Sequence, residues 1–386
     1  MTWGCERGSV PHERIYPGFT GRYFIFRNSC RDLSAGAEHP DCWDFCEAIL
    51  PEVSRSFALI IPKCPDPIDR GLCVGYLICR TADTIEDHPT LTEDQRAVLY
   101  DALLSAVDDP ADAARVRVFH QAWPTVPEND CNRLIAGFAR VLAAYRALPA
   151  ELGPPIRHCV HEMVAGMRSM GPVETRNGIA FLCRDLAELE EYCHYVAGTV
   201  GVMSTALFEM RFDPGAFTPT DQWREDGRRL GLGLQMTNII KDCRVDAARG
   251  SWSARGAGAA GPAGSIRGVS FIPAGCVDLT QASYRLHHSG RAKLIGCAIR
   301  HLDAGLRYVL AIPTAETGIR TFLLGSLLPA IATLEVAAPG TEEHPKISRA
   351  KMTEIFSRID RHLADDHSLA AWYAEHRCRT LALLSR

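Results

Sequence analysis

From Asp41 onward, one segment after another carries apolar residues at three- and four-residue spacing, and that periodicity admits little except helix. The segments are 43–50, 52–61, 68–87, 93–107, 130–147, 153–170, 186–210, 221–246, 280–312, 317–335 and 346–384. Breaks fall where proline or glycine interrupts the pattern, as at Pro65–Pro67, Pro124–Pro127 and Gly153–Pro155. No run of alternating strands accompanies them, so the fold class is all-α. With 386 residues, 47% of them hydrophobic, the chain has the apolar material for a large core, and helical folds reach this size as one domain. Residues 1–40 show little periodicity and read as an irregular arm ahead of a single domain over 41–386. Inside that domain, 247–266 is rich in Gly and Ala, lacks an apolar face and reads as a flexible insertion.

Charge and cysteine usage exclude several classes of function. The net charge is −4 and no basic run is interleaved with aromatics, so no nucleic-acid partner is expected. The 15 cysteines are scattered without a C-x-x-C pair, which suits reduced thiols in the cytosol, several of them filling apolar helices. The N-terminus lacks the apolar core of a secretory signal. The longest apolar stretch, Leu323–Ala338, is broken by Gly325, Ser326 and Pro329 and falls short of the roughly 20 apolar residues of a membrane span. It reads as a buried helix, and a cytoplasmic protein without a transmembrane helix is expected. No obligate protein partner is indicated.

Two acidic stripes carry the chemistry. In the first, Asp83 and Asp87 are one helical turn apart with Glu86 beside them, and Tyr76 and Arg80 extend the stripe backward. Val74, Leu77, Ile78, Thr81 and Ile85 form the apolar back of the same helix. In the second, Asn238, Asp242 and Asp246 fall at i, i+4 and i+8, with Gln235 one turn earlier. A lone acidic stripe is most often a solvated face. Gln235 and Asn238, however, stand in the apolar run GLGLQMTNII, where a buried amide needs a partner. Clustered carboxylates also repel one another unless a cation neutralises them. Oxygen ligands without His or Cys select Mg²⁺ over zinc, and Mg²⁺ bridges a few carboxylates to substrate phosphates. Two such stripes facing across a helical bundle would hold a diphosphate between metal ions.

Four stretches carry a resemblance: Ser54-Arg55-Ser56-Phe57; Tyr76 through Arg80 to Asp83, Glu86 and Asp87; Tyr192-Cys-His-Tyr-Val-Ala-Gly198-Thr-Val-Gly201; and Gln235 through Asn238 and Asp242 to Asp246. Weaker echoes are Met163–Met167, Phe271-Ile-Pro273, and Gly318-Ile-Arg320 through Ala330. Order and spacing hold from about residue 42 to residue 335. On these motifs the chain resembles the squalene/phytoene synthase family, in its squalene-forming (farnesyl-diphosphate farnesyltransferase) branch. The resemblance implies a single-domain helical isoprenoid (terpenoid) synthase fold with a central cavity. It implies that Asp83, Glu86, Asp87, Asn238, Asp242 and Asp246 are ligands of Mg²⁺ and diphosphate. Tyr192, Tyr76 and Arg80 match catalytic positions. Ser54, Arg55, Phe57, Gln235 and Lys241 match substrate-binding positions, and Val196, Gly198, Val200 and Gly201 the wall that admits the prenyl tail. For these small residues close helix packing is an equally weighted reading.

The implied activity is transferase chemistry of isoprenoid biosynthesis. Two molecules of farnesyl diphosphate condense head to head to presqualene diphosphate, and NADPH reduces that to squalene, a sterol or hopanoid precursor. Tyr192 is the candidate acid or base, helped by nearby Arg or Lys cations. Departures bear mainly on the reductive half. Lys241 stands where arginine is usual, Cys243 where tyrosine is usual, and 247–266 lengthens the flap that in relatives covers the cofactor. No G-x-G-x-x-G is present and cofactor-binding residues are not assigned. No membrane anchor follows residue 386, so a bacterial type is expected, with peripheral contact at the inner membrane face for product release. Rival readings are an enzyme that stops at presqualene diphosphate or makes dehydrosqualene or phytoene, a cyclase of one prenyl diphosphate, and a non-catalytic assembly factor. His194-Tyr195 favours the squalene branch over the carotenoid one.

Overall fold

The computed structural model describes residues 40–88, 90–124, 129–213, 215, 217–248, 268–280 and 283–385. The arm expected over 1–40, apart from Pro40, lies outside these residues, as does the insertion expected over 247–266 except for Ala247 and Ala248. The helices are α1 (Pro40–Val53), α2 (Phe57–Ile60), α3 (Ile68–Glu86), α4 (Glu93–Asp108), α5 (Ala113–Ala122), α6 (Asp130–Ala136), α7 (Phe138–Arg146), α8 (Gly153–Ser169), α9 (Leu186–Cys193), α10 (Thr199–Glu209), α11 (Asp221–Ala248), α12 (His288–Ala311), α13 (Thr317–Ala337), α14 (Arg349–His362) and α15 (Asp366–Leu384). A π-helical turn, His194–Gly198, joins α9 to α10.

The long helix α11 runs at the centre, packed along α12 and also against α10 and α13, while α3 packs against α8. Burial follows the period expected of amphipathic helices. On α3, Val74, Leu77, Ile78, Thr81 and Ile85 are fully buried, and the intervening Tyr76, Arg80 and Asp83 are not. The α10–α11 seam is built on small residues. A Cβ on Gly201 would stand 2.5 Å from the Gly227 carbonyl oxygen, and one on Gly231 2.2 Å from that of Ala197. Backbone thus lies directly on backbone, which fixes the π turn and the start of α10 against α11.

Several helices end where local chemistry ends them, and this divides segments that periodicity joins. The stretch 130–147 is two helices, because Gly137 interrupts it and the Phe45 ring fills the space a side chain there would need, 2.0 Å from its Cβ position. The stretch 346–384 is also two, since Asp365 caps α15 by accepting from the Ser368 N–H at 3.0 Å. The expected helix over 280–312 begins only at His288. Before it lie β4 (Val277–Leu279) and β5 (Tyr284–Leu286), antiparallel, with Val277 opposite Leu286. A second small sheet joins β1 (Glu174–Arg176), β2 (Ile179–Phe181) and β3 (Gly268–Ser270), β2 pairing antiparallel with β1 and parallel with β3. The turn between β1 and β2 is Asn177-Gly178, both with positive φ (49° and 77°). These three-residue strands leave the class all-α.

Helix α13 is the one helix among those described that is long and apolar enough to cross a membrane, and 78% of its most apolar window is buried in the fold. Its burial matches the reading of Leu323–Ala338 as a core helix. The 13 described cysteines are free thiols, and all but Cys131 and Cys378 are buried.

Candidate active site

The two stripes stand on α3 and α11, and of their six candidate metal ligands Asp83 and Asn238, one from each helix, line a common cavity. It encloses about 290 Å³. Tyr76, Arg80 and Asp83 of α3 line it, with Gln235 and Asn238 of α11. Its remaining wall is mostly apolar: Met163 and Met167 from α8, Val196 and Val200 from the π turn and α10, and Leu230 and Phe322. A second hollow of about 440 Å³ adjoins it and shares Phe57, Tyr76, Leu234, Asn238 and Ser326. This one is more cationic, with Arg55, Lys241 and Lys346 beside Ser54 and Ser56.

Each predicted side chain has a place. Ser54 starts α2 by accepting the Phe57 N–H at 3.2 Å, which sets the Phe57 ring 5.2 Å from that of Tyr76. Arg55 is exposed at the rim of the second hollow. Tyr76 donates to the Val53 carbonyl at 3.4 Å, and burial pushes its phenol above the ordinary range. Arg80 pairs with Asp83, and its Nη2 lies 3.5 Å from the Cys131 Sγ. Burial disfavours the Arg80 charge, but Asp83, with Cys131 and Tyr76 added to it, outweighs burial and holds the guanidinium protonated. The Arg80 Nε is buried without a partner. On α11, Lys241 Nζ donates to Asn238 Oδ1 at 3.0 Å and lies 3.1 Å from Asp242. His344 reaches the other oxygen of Asp242 at 3.5 Å.

The arrangement corrects two details of the sequence reading. Asn238 is exposed at the mouth rather than buried, so its amide needs no hidden partner. Tyr192 is 4% exposed, stacked at 4.5 Å on Phe271, and lines neither hollow. The groups facing it are not cations: burial, then Glu86, Asp87 and Asp83, push its phenol far up. Glu86 itself is 2% exposed, whereas Asp87 is on the surface. Asp87, Asp242 and Asp246 line neither hollow, although Asp242 and Asp246 continue the α11 face one and two turns beyond Asn238. Val196, Val200 and Gly201 are in the cavity wall, and Gly198 is not. A Cβ on Gly198 would meet Leu232 at 2.6 Å and His194 at 2.7 Å, so it serves helix packing. His194 itself lies 3.0 Å from Glu162 on α8.

Sequence reasoning missed Ser204, Tyr308 and Ser326 in the cavity wall, and Lys346 and His344 near the second stripe. Ser204 and Ser326 interrupt otherwise apolar helices, which was a usable signal. His344 and Lys346 sit in the irregular link before α14, where no periodicity points to them.

Comparison with known proteins agrees with this geometry. A family model described as squalene/phytoene synthase matches residues 50–253, from the end of α1 to just past α11. The chain belongs to the squalene/phytoene synthase family. Among relatives of this family, squalene synthase 1 of Arabidopsis thaliana is 30% identical over 207 residues, covering 53% of this chain and 45% of that protein. A protein named inactive squalene synthase 2, also from Arabidopsis thaliana, is 30% identical over 52% of this chain and 44% of its own length. The match thus spans less than half the length of these relatives. A ligand-bound structure of TcSQS superposes with a TM-score of 0.66 at 22% identity, covering 89% of this chain and 92% of that one. The fold is therefore the helical isoprenoid synthase fold.

Proposed function

We propose that this chain condenses two farnesyl diphosphate molecules head to head to presqualene diphosphate and, with NADPH, reduces that to squalene. The observation that carries the reading is that Asp83 of one stripe and Asn238 of the other line the same largely apolar cavity. A polar mouth and a greasy interior suit a molecule with a charged head and a hydrocarbon tail. Membership alone does not carry it, since one relative bears the name of an inactive synthase.

The donor set fits Mg²⁺. Asp83, Glu86 and Asp87 on α3, and Asn238, Asp242 and Asp246 on α11, offer only oxygen ligands, with no thiol or imidazole among them. Bound there, the ion would supply positive charge against the diphosphate as it departs. The remaining work falls to this chain's own residues. Arg80 stays charged in the cavity, and Arg55, Lys241 and Lys346 add positive charge beside it, so phosphate oxygens meet donors at the mouth. Met163, Met167, Val196, Val200 and Phe322 would take the prenyl chains and exclude water, which would trap a carbocation as an alcohol. Tyr192 keeps its proton beside Glu86, Asp87 and Asp83, so it acts first as a hydrogen-bond donor next to the stripe. No glycine-rich strand-to-helix turn for a nicotinamide nucleotide exists among the described residues, and the reductive half rests on the resemblance to squalene synthases.

Purified protein incubated with farnesyl diphosphate and Mg²⁺ should yield presqualene diphosphate without NADPH and squalene with it, read by mass spectrometry of the extracted products. A C30 polyene under both conditions would replace the reductive half with the dehydrosqualene reading. No C30 product under either condition would remove the condensation itself in favour of a cyclase or a non-catalytic role.

A further inference from the structure

A second group of chemically active side chains lies outside both hollows. Glu190 is two positions from Tyr192 on α9, so it points to nearly the opposite face. Across from it, Cys297 and His301 are one turn apart on α12 and share a face. The Cys297 Sγ is 2.6 Å from Glu190 Oε1, and His301 Nε2 is 3.2 Å from the same oxygen. One ligand atom from each of the three residues falls within 4.8 Å of the other two. Cys297 is 1% and His301 6% exposed, while Glu190 is partly open to solvent.

We propose that Glu190, Cys297 and His301 bind a zinc-class divalent metal ion that clips α9 to α12. The convergence of three different donors carries the assignment: a thiol, an imidazole and a carboxylate stand within 4.8 Å of one another, and the first two are buried. Without a metal, the Cys297 thiol donates to Glu190. Thiolate, imidazole and carboxylate are the donors that zinc takes and magnesium does not, which separates this site from the oxygen-only stripes. Zinc bonds of about 2.0–2.3 Å place tetrahedral ligands somewhat over 3 Å apart, so the Glu190 carboxylate moves back by on the order of 1 Å. Water takes the fourth position from the open side of Glu190.

The proton balance is definite. Binding expels the Cys297 thiol proton to solvent and moves the His301 proton to Nδ1, leaving Nε2 for the metal. Arg229 Nε lies 3.4 Å from that Nδ1, a long contact that is given up, while its Nη2 remains anchored on the Arg300 carbonyl at 3.1 Å. Arg229 and Arg300 both face the cluster, and Arg228 adds charge from α11. One thiolate, one carboxylate and one divalent ion sum to zero, so these cations meet a neutral group.

The proposal is independent of the reaction in the cavity, and its readout is metal binding. The full chain, purified without chelators, should carry about one zinc per molecule by mass spectrometry. Exchange into Co²⁺ should give the near-ultraviolet thiolate-to-cobalt charge-transfer band, which an oxygen-only site cannot produce. Cys297→Ser should abolish that band and weaken binding by about 100-fold or more, whereas Cys378→Ser at the exposed cysteine should leave it unchanged. If Cys297→Ser fails to fold, His301→Gln gives the same reading through metal content. A folded wild-type chain with neither zinc nor the cobalt band overturns the proposal. So does a band that survives Cys297→Ser, and the three residues are then a hydrogen-bonded hub centred on Glu190.

Discussion

Asp83→Asn should lower turnover of farnesyl diphosphate by about a thousandfold with the fold unchanged. Asparagine keeps the shape of the side chain and removes its charge. The charge balances the Arg80 guanidinium in the cavity and, under the proposed function, would also offer an oxygen ligand to a divalent cation. The stability cost is small, because both partners are about one third exposed, and such pairs contribute on the order of 0–1 kcal/mol. The two effects therefore separate cleanly. Turnover measured with saturating Mg²⁺, beside a thermal melt, shows whether they do. A variant within tenfold of the parent rate would remove Asp83 from the chemistry.

Arg320→Ala should have the opposite profile, a loss of stability that does not begin at the cavity. Arg320 has no exposed side-chain surface. Its guanidinium donates to the carbonyls of Ile312 at 2.7 Å, Val309 at 3.2 Å and Leu363 at 3.2 Å, and it pairs with Asp366. One side chain thus ties the end of α12 and the α14–α15 corner to α13. Truncation takes the guanidinium donors from the Ile312 and Leu363 carbonyls and from Asp366 and leaves a void beside them, a loss of about 3–5 kcal/mol. The thermal midpoint should fall by on the order of 5–10 °C. Lysine would not rescue it, since a single ammonium cannot span acceptors set around a planar fork. A midpoint shift below about 2 °C in Arg320→Ala would show that these carbonyls find other partners.

Legibility in the sequence followed burial. The α3 stripe was readable because its two faces differ completely, with Val74, Leu77 and Ile78 fully buried and Tyr76 and Arg80 turned to the cavity. The Gly198 and Gly201 pair shows the limit of a pattern. Both glycines answer to helix packing, and only coordinates reveal that Gly201 also faces the cavity. Divisions inside long periodic segments were lost, because a Phe45 ring over Gly137 is a tertiary contact with no local mark. Asn177-Gly178 did leave a mark, the turn dipeptide of a hairpin, but the strands it joins are too short for alternation to show. The electrostatics of Tyr192 were unreadable for a different reason. Which charges face a phenol depends on how α9 meets α3, and here they are carboxylates rather than the expected cations.

Soaking crystals with Mg²⁺ and a non-ionising thio analogue of farnesyl diphosphate, then locating metal and diphosphate by diffraction, addresses the proposed chemistry most directly. The diphosphate should lie between Asp83 on α3 and the Asn238–Asp242 face of α11, bridged to both by metal, with its tail along Val196 and Val200. Metal and diphosphate held by one helix alone, or a tail lying outside that cavity, would contradict it.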